Sequence, residues 1–166
     1  SITVIATASG TPGQRRSEDF TMAVTDVNEA PFGISLGNDT VDENAFGAVI
    51  GKFTVSDVDA VDSHTFTVSD NRFEVIDGFL KLKNAIRLDH ESESSITLDV
   101  TAIDSGTPES TTSDSVSILV ADVNESPTSI SLASNQVTEN ELAAEIGTLS
   151  VVDPDEGDSH TLTVSD

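Results

Sequence analysis

Ile96-Thr97-Leu98-Asp99-Val100-Thr101-Ala102 alternates without a break between apolar and polar residues. Successive side chains of a β-strand point to opposite faces, so this stretch gives Ile96, Leu98, Val100 and Ala102 to a core and Thr97, Asp99 and Thr101 to water. The same period runs outward in both directions. Val116, Ile118 and Val120 alternate with Ser115, Ser117 and Ala121, with Leu119 the one break in the pattern. Upstream, Phe66 and Val68 alternate with Thr65 and Thr67, and Leu80 and Leu82 with Lys81 and Lys83. This is the half-buried antiparallel pattern, and no helical period lasts beyond a turn. Asp77-Gly78 sits between Phe73–Ile76 and Phe79–Leu82, where the positive φ that glycine tolerates suits a two-residue hairpin turn.

The chain also repeats itself. Shifted by 96, residues 1–70 fall on residues 97–166 without a gap, and nearly half of the pairs are identical. Ser9-Gly10-Thr11-Pro12 lands on Ser105-Gly106-Thr107-Pro108, and Asp26-Val27-Asn28-Glu29 on Asp122-Val123-Asn124-Glu125. Asp62-Ser63-His64-Thr65 lands on Asp158-Ser159-His160-Thr161. A period of this length suits one small domain rather than a solenoid unit. The expected organisation is one complete repeat over 29–124, with the tail of a preceding repeat at 1–28 and the head of a following one at 125–166. The chain is expected to be part of a longer array. Within the complete repeat seven strands are expected, near 33–43, 47–56, 64–69, 72–76, 79–83, 95–103 and 113–122. Seven short strands in one small all-β domain imply a Greek-key β-sandwich of immunoglobulin-like architecture, its core resting on Val, Ile, Leu and Phe.

Composition removes several functions. Thirty acidic against seven basic residues leave a formal charge of −23 over 166 residues. A nucleic-acid binder needs a basic face to displace counterions from phosphate, and anionic leaflets repel acidic segments. Cysteine is absent, so disulfides and thiolate metal sites are excluded. No apolar run approaches the ~18 residues of a membrane-spanning helix, and no N-terminal signal-peptide pattern is visible.

The acids concentrate in five places: Glu43-Asn44, Asp57-Val58-Asp59, Leu88-Asp89-His90-Glu91, Asp104 and Asp122-Val123-Asn124-Glu125. The flanks repeat several of them, in Asp26 to Glu29, Glu139-Asn140 and Asp153-Pro154-Asp155. Asp and Asn are turn formers, which accounts for any single one. Turn formation does not account for carboxylates crowded at the poles of a sandwich, where they repel one another. A hard divalent cation relieves that repulsion, and calcium takes about six to eight oxygen ligands. The pattern is not an EF-hand, because a loop counted from Asp153 has Asp158 where that motif needs Gly and Val164 where it needs Glu.

Taken together these residues resemble the cadherin repeat, in the cadherin-like form of large bacterial surface and secreted proteins. The motifs come in the family's order: Asp42-Glu43-Asn44, Asp57-Val58-Asp59, Leu88-Asp89-His90-Glu91, Ala102-Ile103-Asp104-Ser105-Gly106, and the linker Asp122 to Pro127. The resemblance implies calcium between successive repeats, three ions per junction. At the junction after the complete repeat it implies Glu43, Asp89 and Glu91, then Asn124 and Glu125 with carbonyls of Val123 and Ser126, then Asp153 and Asp155. Those six carboxylates against three divalent ions leave the charge near neutral. At the earlier junction it implies Asn28, Glu29, Asp57, Asp59 and Asp104, a weaker set with at most one well-formed ion. The linkers have Glu where the family commonly has Asp, followed by Ala30 or Ser126 where it commonly has Asn.

The function so implied is that of an extracellular, calcium-rigidified repeat in a surface or secreted adhesion protein. Its partners would be calcium, neighbouring repeats of the array and other cadherin-like repeats, and the half-repeats offer a route to pairing between chains. The rival reading is a calcium-dependent module that binds polysaccharide. Sugar sites usually offer aromatic platforms, and this chain has no Trp or Tyr and only seven Phe. Catalysis is disfavoured, because His64 and His160 are the same position in successive repeats and no nucleophile elbow or phosphate loop accompanies them. A zinc site from the three histidines is disfavoured because His90 would have no partner nearby, and turn or strand-end roles are expected of them. Asn38-Asp39-Thr40 and Asn124-Glu125-Ser126 match the glycosylation acceptor pattern, the second overlapping a proposed metal ligand.

Overall fold

The computed structural model of the protein describes residues 1–10 and 13–165, and every regular element in them is a β-strand. Thr11 and Pro12, which align with Thr107 and Pro108 in the sequence repeat, and Asp166 lie outside the described residues. Two four-stranded sheets form the body. One has the order β3 (Phe32–Leu36), β5 (Val49–Ser56), β8 (Phe79–Leu82), β7 (Phe73–Ile76). The other has the order β4 (Thr40–Asp42), β10 (Thr111–Ala121), β9 (Ser95–Asp104), β6 (His64–Val68). The chain crosses between sheets from β5 to β6, back from β6 to β7 and again from β8 to β9, which is the Greek-key sandwich that the strand count implied.

The alternation read from the sequence sets the core. Ile96, Leu98, Val100 and Ala102 of β9 are all buried, as are Ile118 and Val120 of β10, while Leu119 points outward. They meet Ile34, Ile50, Phe53, Phe73, Leu80 and Leu82 of the facing sheet. Phe53 of β5 stacks on Phe66 of β6 with ring centroids 5.2 Å apart, joining the two layers. The expected hairpin is present: Asp77 and Gly78 carry φ of 52° and 78°, and Ile76 pairs with Phe79 across them. Both central residues at positive φ define the turn type whose twist matches that of its strands.

The first expected strand, 33–43, is corrected. It is two strands in different sheets, which makes eight in the body: β3 runs antiparallel to β5, and β4 runs parallel to β10. The crossing is fixed at Asn38-Asp39. The Asn38 side-chain amide donates to the carbonyls of Thr40 and Ile50, both at 2.7 Å, and the Asp39 carbonyl accepts the Leu119 amide at 2.8 Å. The corner is close to β5, and a Cβ on Gly51 would run into the Asn38 backbone. Gly147, one period later, stands in the same relation to Ser134, since a Cβ there would come within 2.7 Å of the Ser134 amide nitrogen.

The flanks repeat the register as well as the sequence. β1 (Ile2–Thr7) and β2 (Arg15–Phe20) pair with Ile2 opposite Phe20, as Leu98 stands opposite Val116 in β9 and β10. β11 (Ser129–Leu132) and β12 (Leu149–Val152) pair with Ser131 opposite Ser150, as Ser35 stands opposite Thr54. Each flank is a two-stranded ribbon whose apolar residues are exposed apart from the half-buried Val151, whereas among the described residues the hydrophobic core runs from Ile34 to Val120.

Candidate metal centres

The acids collect in two groups, one at each linker. In the group after the body, Glu43 follows directly on β4 and is 2% exposed. Its two carboxylate oxygens accept the Val123 and His90 amides, each at 2.9 Å, so one side chain ties the end of β4 to the 88–91 turn and to the linker. The Asn44 side-chain amide, carried on a residue at φ 59°, donates to the Glu125 carboxylate. Oxygens of Glu43, Asp89 and Glu91 lie within 4.8 Å of one another, and so do those of Glu91, Glu125 and Asp155. A third triple, Asp153, Asp155 and Asp158, meets the same limit. Glu91 and Asp155 are each shared, so body, linker and following segment contribute to one continuous run of carboxylates. The Glu125 amide donates to Asp155 at 2.7 Å, which holds the following segment against the linker.

That crowding has an electrostatic signature. A hydrogen bond from its own backbone amide pulls the Glu91 carboxyl down, but burial and the charges of Glu43, Glu125 and Asp122 outweigh it and push it up. The neighbouring His90 is raised by the Val120 carbonyl that its Nδ1 contacts at 2.7 Å and by Asp122, Glu91 and Glu43.

The group before the body is built differently. Asn28 donates to Asp104 at 3.2 Å, to the Pro108 carbonyl at 2.9 Å and to Ser110 at 3.2 Å, and there is no room for a Cβ on Gly106 beside it. The Glu29 amide donates to Asp59 at 2.8 Å. Burial, then the charges of Asp59, Asp26 and Asp57, raise the Glu29 carboxyl. Asp104, 3% exposed, accepts the Ser110 and Gly106 amides at 3.0 Å. The Ser110 amide leads in holding it below the usual carboxylate range, with Asn28 and Gly106 assisting. Oxygens of Asp57, Asp62 and Asp104 lie within 4.8 Å of one another.

Most of the residues singled out in the sequence are therefore together. Glu43, Asp89, Glu91, Glu125, Asp153 and Asp155 fall in linked triples, and Asp57 and Asp104 in another. Glu29 and Asp59 are joined through a backbone amide. The Asn124 side chain turns to the Glu125 carbonyl at 2.9 Å, Val123 contributes its amide to Glu43, and Ser126 is exposed. Sequence reasoning missed Asp62 and Asp158, although both recur at the same place in the repeat. It also gave the histidines turn or strand-end roles alone; His64 does open β6, but both His64 and His160 reach a carboxylate. His64 Nε2 lies 2.7 Å from Asp57 and His160 Nε2 lies 2.6 Å from Asp153. Each imidazole is the leading cause of its carboxyl's position below the usual range.

The donor set fits a hard divalent cation. Three carboxylate oxygens, Oδ2 of Asp62, Oε2 of Glu125 and Oδ1 of Asp155, are buried without a hydrogen-bond partner, and each residue belongs to one of the triples. A buried unpaired carboxylate oxygen is costly, and although His90 also lies within 4.8 Å of Glu91 and Asp122, the triples that hold these oxygens offer carboxylates alone, which suits calcium rather than a metal that prefers thiolate or imidazole.

No family model matches the chain. Among curated proteins it is 32% identical to human protocadherin gamma-A5 over 161 residues, covering 90% of this chain and 17% of that protein. It thus spans about a sixth of the length of that relative. Among solved structures, the mouse cadherin-23 EC22-24 structure superposes with a TM-score of 0.63 at 24% identity, over 93% of this chain and 53% of that one. Drosophila N-cadherin EC1-4 gives 0.53 at 28% identity, over 72% and 31%. These are animal proteins and lend no support to the bacterial setting that the motifs suggested; nor does any of these names speak for polysaccharide. With the sandwich, the repeated register and the ordered acidic motifs, they establish that the chain belongs to the cadherin repeat family.

Proposed function

We propose that the chain is a calcium-binding stretch of an extracellular, non-enzymatic adhesion protein, in which calcium at the linkers stiffens one repeat against the next. Residues 29–124 form the complete repeat, with 1–28 and 125–166 contributing parts of its neighbours. The observation that carries this reading is the shared run of Glu43, Asp89, Glu91, Glu125, Asp153 and Asp155, with unpaired buried oxygens on Glu125 and Asp155. Those residues, with Asn124 and carbonyls of Val123 and Ser126, would hold the ions after the body; Asn28, Glu29, Asp57, Asp59 and Asp104 would hold fewer before it. Bound calcium would supply the positive charge that lets these carboxylates stay ionised side by side.

The body, linker and following segment meet through these acids, so without cation their repulsion opposes a fixed arrangement. Binding to the ordered arrangement favours it by mass action. Adhesion through an array of such repeats, including contacts between like repeats, follows as the mechanical use of a stiff rod. Small-angle scattering in chelator and in calcium tests the stiffening. A narrower distribution of particle lengths in calcium supports it; identical curves under both conditions contradict it.

A further inference from the structure

We infer that His64 and His160 are positioning residues for the linker cations, each fixing the first carboxylate of an Asp-x-Asp pair in one orientation. This inference rests on the calcium reading above. The two arrangements are independent copies, 96 residues apart, and agree in detail. In the first, Asp57 offers Oδ2 to His64 Nε2 at 2.7 Å and Oδ1 to the Asp59 amide at 3.0 Å. In the second, Asp153 offers Oδ2 to His160 Nε2 at 2.6 Å and Oδ1 to the Asp155 amide at 3.2 Å. The aspartate side chains are 5% and 6% exposed, the histidines 15% and 24%.

A carboxylate can only accept, so Nε2 carries the proton in both pairs. The N–H occupies one lone pair of Oδ2 and locks the plane of the carboxylate, while the amide two residues on occupies one of Oδ1. Each oxygen retains a second lone pair, and one oxygen of each aspartate lies within 4.8 Å of its triple, Asp57 with Asp62 and Asp104, and Asp153 with Asp155 and Asp158. The carboxylate is thereby held from behind, as hydrogen-bonded partners hold metal ligands generally. Asp57 to His64 and Asp153 to His160 are both seven residues apart, so the loop brings its own orienting group.

The test compares His160→Leu, which removes the donor, with His160→Gln, whose amide restores an N–H at similar reach. His160 lies outside the regular strands, and urea unfolding in chelator checks that both variants keep the wild-type midpoint. His64→Leu and His64→Gln repeat the comparison at the other linker. Calcium affinity is read by calorimetry, and europium luminescence lifetimes in light and heavy water count the waters on the bound ion. Loss of the donor should weaken calcium by about 10- to 100-fold, the usual effect of losing a partner behind a ligand. It should also change the europium water count, and the Gln variant should restore both. Affinity unchanged in His160→Leu overturns the inference while leaving the calcium reading intact. So does a Gln variant as weak as Leu, or a midpoint in chelator that falls with the affinity. No calcium binding by the wild type overturns both.

Discussion

Glu43→Gln separates the two roles that the structure gives one side chain. Glu43 is 2% exposed and accepts two backbone amides, from Val123 and His90, one on each oxygen at 2.9 Å. Glutamine keeps the shape and one acceptor, but its amide group faces the other N–H donor to donor. The loss is one charge-assisted hydrogen bond, about 1.5–3 kcal/mol. That cost exists without any cation, so it should appear in chelator as a urea midpoint lowered by roughly 1 M, taking m near 2 kcal/mol/M. In calcium a second loss is added, because the substitution also removes a carboxylate from the Glu43, Asp89, Glu91 triple. Ligand at about 100 times its dissociation constant stabilises a fold by ~2.7 kcal/mol, and the variant should forfeit much of that. Asp89→Asn is the control: Asp89 is exposed, and among the described residues its carboxylate accepts only the Ser92 amide within its own turn, at 3.1 Å. It should lose calcium stabilisation and little else. Equilibrium unfolding of both variants, with and without calcium, reads all four quantities. A harmless Glu43→Gln in chelator would refute the anchoring role. An equal penalty in both conditions would refute the ligand role.

Two further outcomes follow from the body. Leu98 is fully buried at the centre of β9, and Leu98→Ala should cost about 2–5 kcal/mol in urea unfolding regardless of calcium. Asp70 accepts hydrogen bonds from the Arg72 guanidinium at 2.7 and 2.9 Å and from its amide at 2.8 Å, and the guanidinium leads in holding its carboxyl below the usual range. A carboxyl depressed in the fold contributes stability above its unfolded pKa of about 3.9 and loses it as pH falls through the lower folded value. Asp70→Asn should therefore lower stability near neutrality and leave it closer to wild type in strong acid, as read by unfolding across pH.

The sandwich was legible because period-two alternation survives burial: every apolar residue of β9 and β10 that alternation assigned inward is inside or packed against the core. The split of the first strand was not read, although its signal is present. Ile34 and Val41 are both buried yet stand an odd number of residues apart, which one continuous strand cannot satisfy. The turn residues Asn38 and Asp39 between them mark the place where the chain changes sheets. At the linkers, motif order led to Glu43, Glu91, Glu125 and Asp155. Asp62 and Asp158 were passed over because a lone Asp in a turn has an ordinary explanation, and only the fold shows which turn aspartates face other carboxylates. The histidine–aspartate pairs depend on how the loop after the Asp-x-Asp pair returns into the next strand. Spacing alone does not give that path.

Calorimetric titration of the intact chain with calcium, beside Asp155→Ala, tests the central claim most directly. Asp155 belongs to two triples, carries an unpaired buried oxygen and accepts the linker amide of Glu125. The account predicts saturable binding of more than one ion, weakened at least tenfold by the substitution. Absence of binding at millimolar calcium, or binding indifferent to Asp155, would contradict it.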